Sequence, residues 1–208
     1  MGKNKIIIIV CCALLLICCT VAGTVAYLTS KTNQANNTFT VGKVEITLDE
    51  KDVDNSSSGK RDIKNEYKLV PDQTYDNDST IHVASGSAES YIFILVQNDI
   101  SNLEPTTGTI KEQIINNGWK ELIGASMPLG YSGNKANTTV YYREVSENLS
   151  NESKDYVIFK NFKIDSSKTA NDLKNVNSST FINITGYAIQ KAKSLTSAMD
   201  AWNNVKDA

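Results

Sequence analysis

The sequence predicts an all-β protein with minor helices, built as an antiparallel β-sandwich. Three observations lead there. Short runs rich in Val, Ile, Tyr, Phe and Thr recur along the chain and are separated by polar turns. Two of these runs alternate apolar and polar residues, and one is apolar throughout. Helical periodicity is confined to short stretches between strands and at the C-terminus, and no repeat of fixed period appears. The strand count is seven or eight.

Residues 1–26 read as an export signal. Lys3 and Lys5 form a positive start, Ile6 to Cys19 is unbroken apolar chain, and Thr24 and Ala26 give a small-x-small cleavage pattern. Cleavage is expected after Ala26, leaving Tyr27 as the mature N-terminus. The competing reading is an uncleaved anchor, since about 20 apolar residues span a bilayer. Cys11, Cys12, Cys18 and Cys19 all lie in this segment, so the processed chain has neither disulfide nor thiolate site. Lipidation at Cys18 or Cys19 is disfavoured because Ile17 and Cys18 precede them where a small residue is wanted. Lys3 and Lys5 are the only charges removed, so 21 basic residues fall to 19 against 23 acidic ones, a net −4. The basic residues are scattered, which argues against a nucleic-acid partner.

Residues 27–38 are polar without periodicity and read as a flexible arm, followed by one sandwich domain over 39–208. The first strand carries Phe39 and Val41 in one phase and Val44, Ile46 and Leu48 in the other; a bulge at Gly42 would unite the two faces. Residues 49–62 are a charged, Ser-rich loop. Tyr67 to Val70 is a short strand closed by Pro71. Thr80 to Ala84 alternates, with Ile81 and Val83 on one face and His82 on the other, and Ser85-Gly86-Ser87 turns the chain.

Tyr91 to Val96 is apolar at every position, as a central strand covered on both faces requires. Thr109 to Asn117 is a short helix with Ile110 and Ile114 on one face and Gly118 as its stop. Trp119 to Ile123, Thr139 to Val145 and Tyr156 to Ile164 are strands, and Asp172 to Asn175 is one helical turn. Thr180 to Gln190 is a long strand with Ile182, Ile184 and Ala188 on one face and Tyr187 and Ile189 on the other. Leu195, Ala198, Met199, Trp202 and Val205 are spaced as an amphipathic helix started by Ser197.

These segments carry a resemblance. The stretches Gly23-Thr24-Val25-Ala26-Tyr27-Leu28-Thr29 and Asn37-Thr38-Phe39-Thr40-Val41-Gly42-Lys43-Val44 form its first part. Its second part is Leu69-Val70-Pro71-Asp72 with Ile81-His82-Val83 and Ser87-Ala88-Glu89-Ser90-Tyr91-Ile92-Phe93-Ile94-Leu95-Val96. The third is Phe181-Ile182-Asn183-Ile184-Thr185-Gly186-Tyr187-Ala188-Ile189-Gln190 with Ala201-Trp202 near the end. Together they resemble the TasA/camelysin group, exported proteins of Gram-positive bacteria processed by a SipW-type signal peptidase. The resemblance implies a jelly-roll-like sandwich, an extracellular matrix or cell-surface location, and self-association into oligomers or biofilm fibres by N-terminal strand donation, with other matrix proteins as further partners. The donor strand would be Phe39, Val41, Val44, Ile46 and Leu48 within residues 27–48. Asp72 departs from the glycine common after this proline.

Camelysin was described as a metallopeptidase, so metal chemistry is the second reading. A zinc peptidase usually offers two histidines on one element, and this chain has His82 alone and no His-Glu-x-x-His. Catalytic residues and a resident cofactor are therefore not expected. Asp72, Asp76 and Asp78 with His82 are the weak metal candidates; the aspartates offer the oxygen ligands that Ca²⁺ takes, but a solvated acidic turn is the favoured account. No nucleophile triad or phosphate loop is visible. Trp119, Trp202 and the tyrosines are read as core in preference to a sugar platform. The Asn137, Asn148 and Asn183 triplets are read as composition. A monomeric surface binding module is the third reading.

Overall fold

The computed structural model describes residues 29–31, 44–146, 149, 152–177 and 180–208, with only the backbone of 29–31. Cleavage site Ala26–Tyr27, Phe39, Val41 and the bulge expected at Gly42 lie outside these residues. The described chain is mostly strand, in two antiparallel sheets. One holds β1 (Thr29–Lys31), β9 (Ile182–Gln190), β5 (Ser90–Asn98), β7 (Thr138–Val145) and β6 (Lys120–Glu121), in that order. The other holds β3 (Arg61–Asp62), β2 (Ile46–Lys51), β4 (Thr74–Val83) and β8 (Lys154–Lys163). Among the described residues three short α-helices accompany them: α1 (Ile110–Asn116), α2 (Ala170–Leu173) and α3 (Ala198–Val205).

Strand β5 explains the layering. Its apolar residues alternate between two clusters. Ile92, Ile94 and Val96 point between the sheets, where they meet Ile46, Ile81, Val83, Tyr156 and Ile158 of the opposite sheet. Phe93 and Leu95 point outward and are covered by Trp202, Ala201 and Val205 of α3. A strand in this position needs an apolar residue at every step, because neither face meets water. Strand β9 repeats the pattern with Ile184 and Ala188 inward and Tyr187 and Ile189 outward.

The helices start and stop where the side chains provide partners. Thr109 accepts from the Glu112 amide and Ser197 from the Asp200 amide, each at 3.1 Å. Gly118, at φ 87°, ends α1 in the left-handed region.

Several elements differ from the sequence reading. Of the arm 27–38, Thr29–Lys31 form strand β1 against Tyr187–Ile189. The loop expected over 49–62 is shorter, since β2 runs to Lys51 and Arg61–Asp62 return as β3. Tyr67 to Val70 is not a strand. The Val70 amide donates to the Tyr75 hydroxyl, which donates to the Lys68 carbonyl, both at 2.6 Å, so a side chain takes the place of a neighbouring strand.

Strand β4 begins six residues earlier than Thr80. Its register against β8 shifts twice, between Asp76 and Ser79 and between Ser79 and Thr80. Tyr75, Asn77, Ser79, Ile81 and Val83 are all buried, so the inward face keeps one phase through the irregularity, and Thr80 beside the shift is buried as well. Polar Asn77 and Ser79 on the buried side hid this half of the strand from an apolar pattern search.

Candidate functional site

Strand β2 carries two of the predicted assembly residues and frames a cleft. Ile46 is buried, and Leu48 packs half-buried against the inter-sheet core. Val44, just before the strand, is buried with them. The cleft has a volume of about 740 Å³ and lies between β2, the 63–69 segment and the start of β9. Leu48, Phe162, Ile182 and Ile184 form its apolar wall. Phe181 stands half-exposed at its rim.

Glu50 closes the polar end. Its carboxylate accepts from Asn65 Nδ2 at 2.8 Å, from Asn77 Nδ2, and from Ser79 Oγ at 3.4 Å. Burial pushes its pKa above the ordinary carboxylate value, and these hydrogen bonds offset only part of the rise. Asn77 Nδ2 also donates to the Tyr67 hydroxyl at 3.2 Å. The network thereby ties the 63–69 segment to the irregular part of β4. Its members are two amides, two hydroxyls and one carboxylate, and a buried carboxylate satisfied this way is a strut between segments. A second acid or base to make an acid–base pair is not among these partners.

The sequence-predicted metal candidates are dispersed among separate ion pairs. Asp72 pairs with Lys163 at 2.6 Å and Asp76 with Lys51 at 2.6 Å. Asp78 accepts from Arg61 Nη1 at 3.0 Å. His82 lies between two carboxylates: Nδ1 is 2.7 Å from Asp155 and Nε2 is 3.0 Å from Asp49. Arg61 Nε also donates to Asp49. A single chain of charges, Asp155–His82–Asp49–Arg61–Asp78, thus crosses β8, β4, β2 and β3 on the face of this sheet turned away from the core.

Each His82 nitrogen faces an acceptor, so both must carry protons for both contacts to be favourable, which requires the imidazolium. Burial by itself lowers the His82 pKa. Hydrogen bonds and charge from Asp49 and Asp155 outweigh it and hold the pKa above the usual value. A cation held this way is a poor metal ligand, because metal coordination takes the neutral ring.

Three carboxylates that sequence reading missed do come together. Oxygens of Asp52 and Asp54, in the loop after β2, and of Asp62, on β3, lie within 4.8 Å of one another. Serine hydroxyls and backbone amides already serve them: Ser57 donates to Asp52, Ser56 to Asp54 and Asp62, and the Glu66 amide to Asp54. These hydrogen bonds, that of Ser56 foremost, hold the Asp54 and Asp62 carboxyls below the usual range. The alternation Asp52-x-Asp54-x-Ser56 was the signal available in the sequence.

The large aromatics are core. Trp119 and Trp202 are buried, and their indole N–H groups donate to Val157 O and Ser126 O at 2.9 and 2.8 Å. Among the described residues, no helix is long and apolar enough to cross a membrane.

Comparison with family models, curated proteins and solved structures finds no match.

Proposed function

We propose that this protein is a secreted structural subunit of a Gram-positive cell surface or biofilm matrix, with a jelly-roll-like sandwich that self-associates by exchange of its N-terminal strand. The observation that carries the reading is the pairing of β1. Thr29, Ser30 and Lys31 lie opposite Ile189, Ala188 and Tyr187, so the N-terminal segment enters the fold as an outer strand of a sheet. Such a strand adds by backbone hydrogen bonds, and the same bonds form when it comes from a neighbouring copy. Among the described residues, three pairs join it to β9. The apolar pattern of the sequence resembles segments of the TasA/camelysin group, and this resemblance implies assembly of the kind attributed to its TasA-like members.

Cysteine pairing tests the reading. Processed chain carries no other cysteine. Ser30→Cys and Ala188→Cys are made as separate proteins and mixed under oxidising conditions. Exchange gives disulfide-linked heterodimers, and electron microscopy of unmodified protein shows oligomers or fibres. Cross-linking found only within the double variant, with particles that stay single at every concentration, overturns the proposal.

A further inference from the structure

We propose that α1 guards the outer edge of β8, blocking sheet-to-sheet pairing with the same strand of a second copy of this chain. The four sheet edges differ in length. Among the described residues, strands β6 and β3 have two residues each, β1 has three, and β8 has ten. A long edge strand presents a row of amide and carbonyl groups that another strand can pair with, and short edges present little. Strand β8 is therefore the edge most open to unwanted pairing. Its antiparallel partner by two-fold symmetry would be itself, since such an interface joins identical patches.

Side chains from the α1 region occupy that edge. Gln113 Nε2 donates to Asn161 O at 2.8 Å, and Gln113 Oε1 accepts from the Lys160 amide at 3.2 Å. The carboxamide thus offers a donor and an acceptor together, as the peptide unit of an adjacent strand would. Asn117 Nδ2 donates to Ile158 O at 3.0 Å, and Trp119 Nε1 to Val157 O at 2.9 Å. Four backbone groups within five residues of β8 have side-chain partners. The placement follows from the apolar anchors: Ile110, Ile114 and Trp119 are buried, and Gln113 and Asn117, four residues apart on one helical face, are left lying along the strand. Mere helix packing would need Ile110 and Ile114 and would leave the amide-for-strand substitution without a purpose.

The inference stands whether or not the N-terminal strand exchanges. Its test is Gln113→Ala with Asn117→Ala in the full processed chain, with Lys160→Cys as a reporter in both the variant and the unsubstituted background. The variant should keep the circular dichroism of the parent. Under oxidation it should form about ten-fold more Lys160→Cys disulfide dimer, about 1.4 kcal/mol in favour of association, which is the scale of one or two net hydrogen bonds. Sedimentation should show the matching concentration-dependent dimer. A folded variant that dimerises no more than its parent overturns the proposal. Should the double variant lose its fold, Asn117→Ala alone is read by the same dimer yield, with no increase again counting against the guard. N-terminal exchange is read at Ser30 and Ala188, so the two outcomes separate.

Discussion

Replacing Trp202 with alanine tests whether α3 is a structural lid on the outer face of the larger sheet. The side chain is 0% exposed. Its ring lies 5.4 Å from Phe93 and 5.1 Å, edge-on, from Tyr187, and its N–H bonds Ser126 O. Truncation removes the transfer free energy of the indole and leaves a cavity roofed by a one-sided helix; such changes cost about 3–5 kcal/mol. Ser126 O also loses its donor, a cost of about 1 kcal/mol where water cannot replace it. A total of about 4–6 kcal/mol is a large share of a stability of about 5–15 kcal/mol. For a chain of this length it lowers Tm by roughly 8–24 °C. Thermal melting by circular dichroism measures the shift. The variant leaves Trp119 as the sole tryptophan, inside the inter-sheet core. Its emission should match that of the parent's buried indole below the transition. A Tm lowered by less than about 4 °C refutes the account of α3 as an energetic lid.

The charge chain across the smaller sheet makes stability pH-dependent. The raised His82 pKa means that its contribution is fully present below about pH 6.5, its unfolded value, and is lost as pH rises through the folded value. Urea unfolding of His82→Gln should show less decline with pH across that window than the parent; equal slopes count against the imidazolium bridge. Glu50, whose carboxyl is also raised by burial, keeps its own partners Asn65, Asn77 and Ser79 in this variant. Gly118→Ala places a Cβ 3.1 Å from the Arg143 guanidinium at a φ of 87°. The left-handed backbone alone costs about 1–2 kcal/mol, and a melt unchanged from the parent would refute it.

Most of the layered fold was legible in the residues themselves. Apolar residues at every step of β5 called for cover on both faces, and the structure supplies a second sheet on one side and α3 on the other. The inward and outward sets of β9 followed from a period of two, because backbone geometry fixes it locally. Ser197, Trp202 and Val205 announced α3 by spacing. Where the reading failed, side-chain partners had intervened that an apolar pattern does not show. Tyr67 to Val70 looked like a strand, but the Tyr75 hydroxyl takes its backbone bonds. Asn77 and Ser79 precede the strand expected from Thr80, but β4 begins at Thr74 and both are buried with the Glu50 carboxylate as a partner.

Alternation along the chain settled which residues face inward, since side-chain direction in a strand is a local property. Which charges meet was decided only by folding. Asp72, Asp76, Asp78 and His82 are close in sequence, yet their partners are Lys163, Lys51, Arg61, Asp49 and Asp155 on other strands. Strand register sets those meetings, and register depends on the whole sheet. The cover that α1 gives β8 is of the same kind: a glutamine and an asparagine on a short helix acquire a role only when tertiary packing lays them along an edge 40-odd residues away.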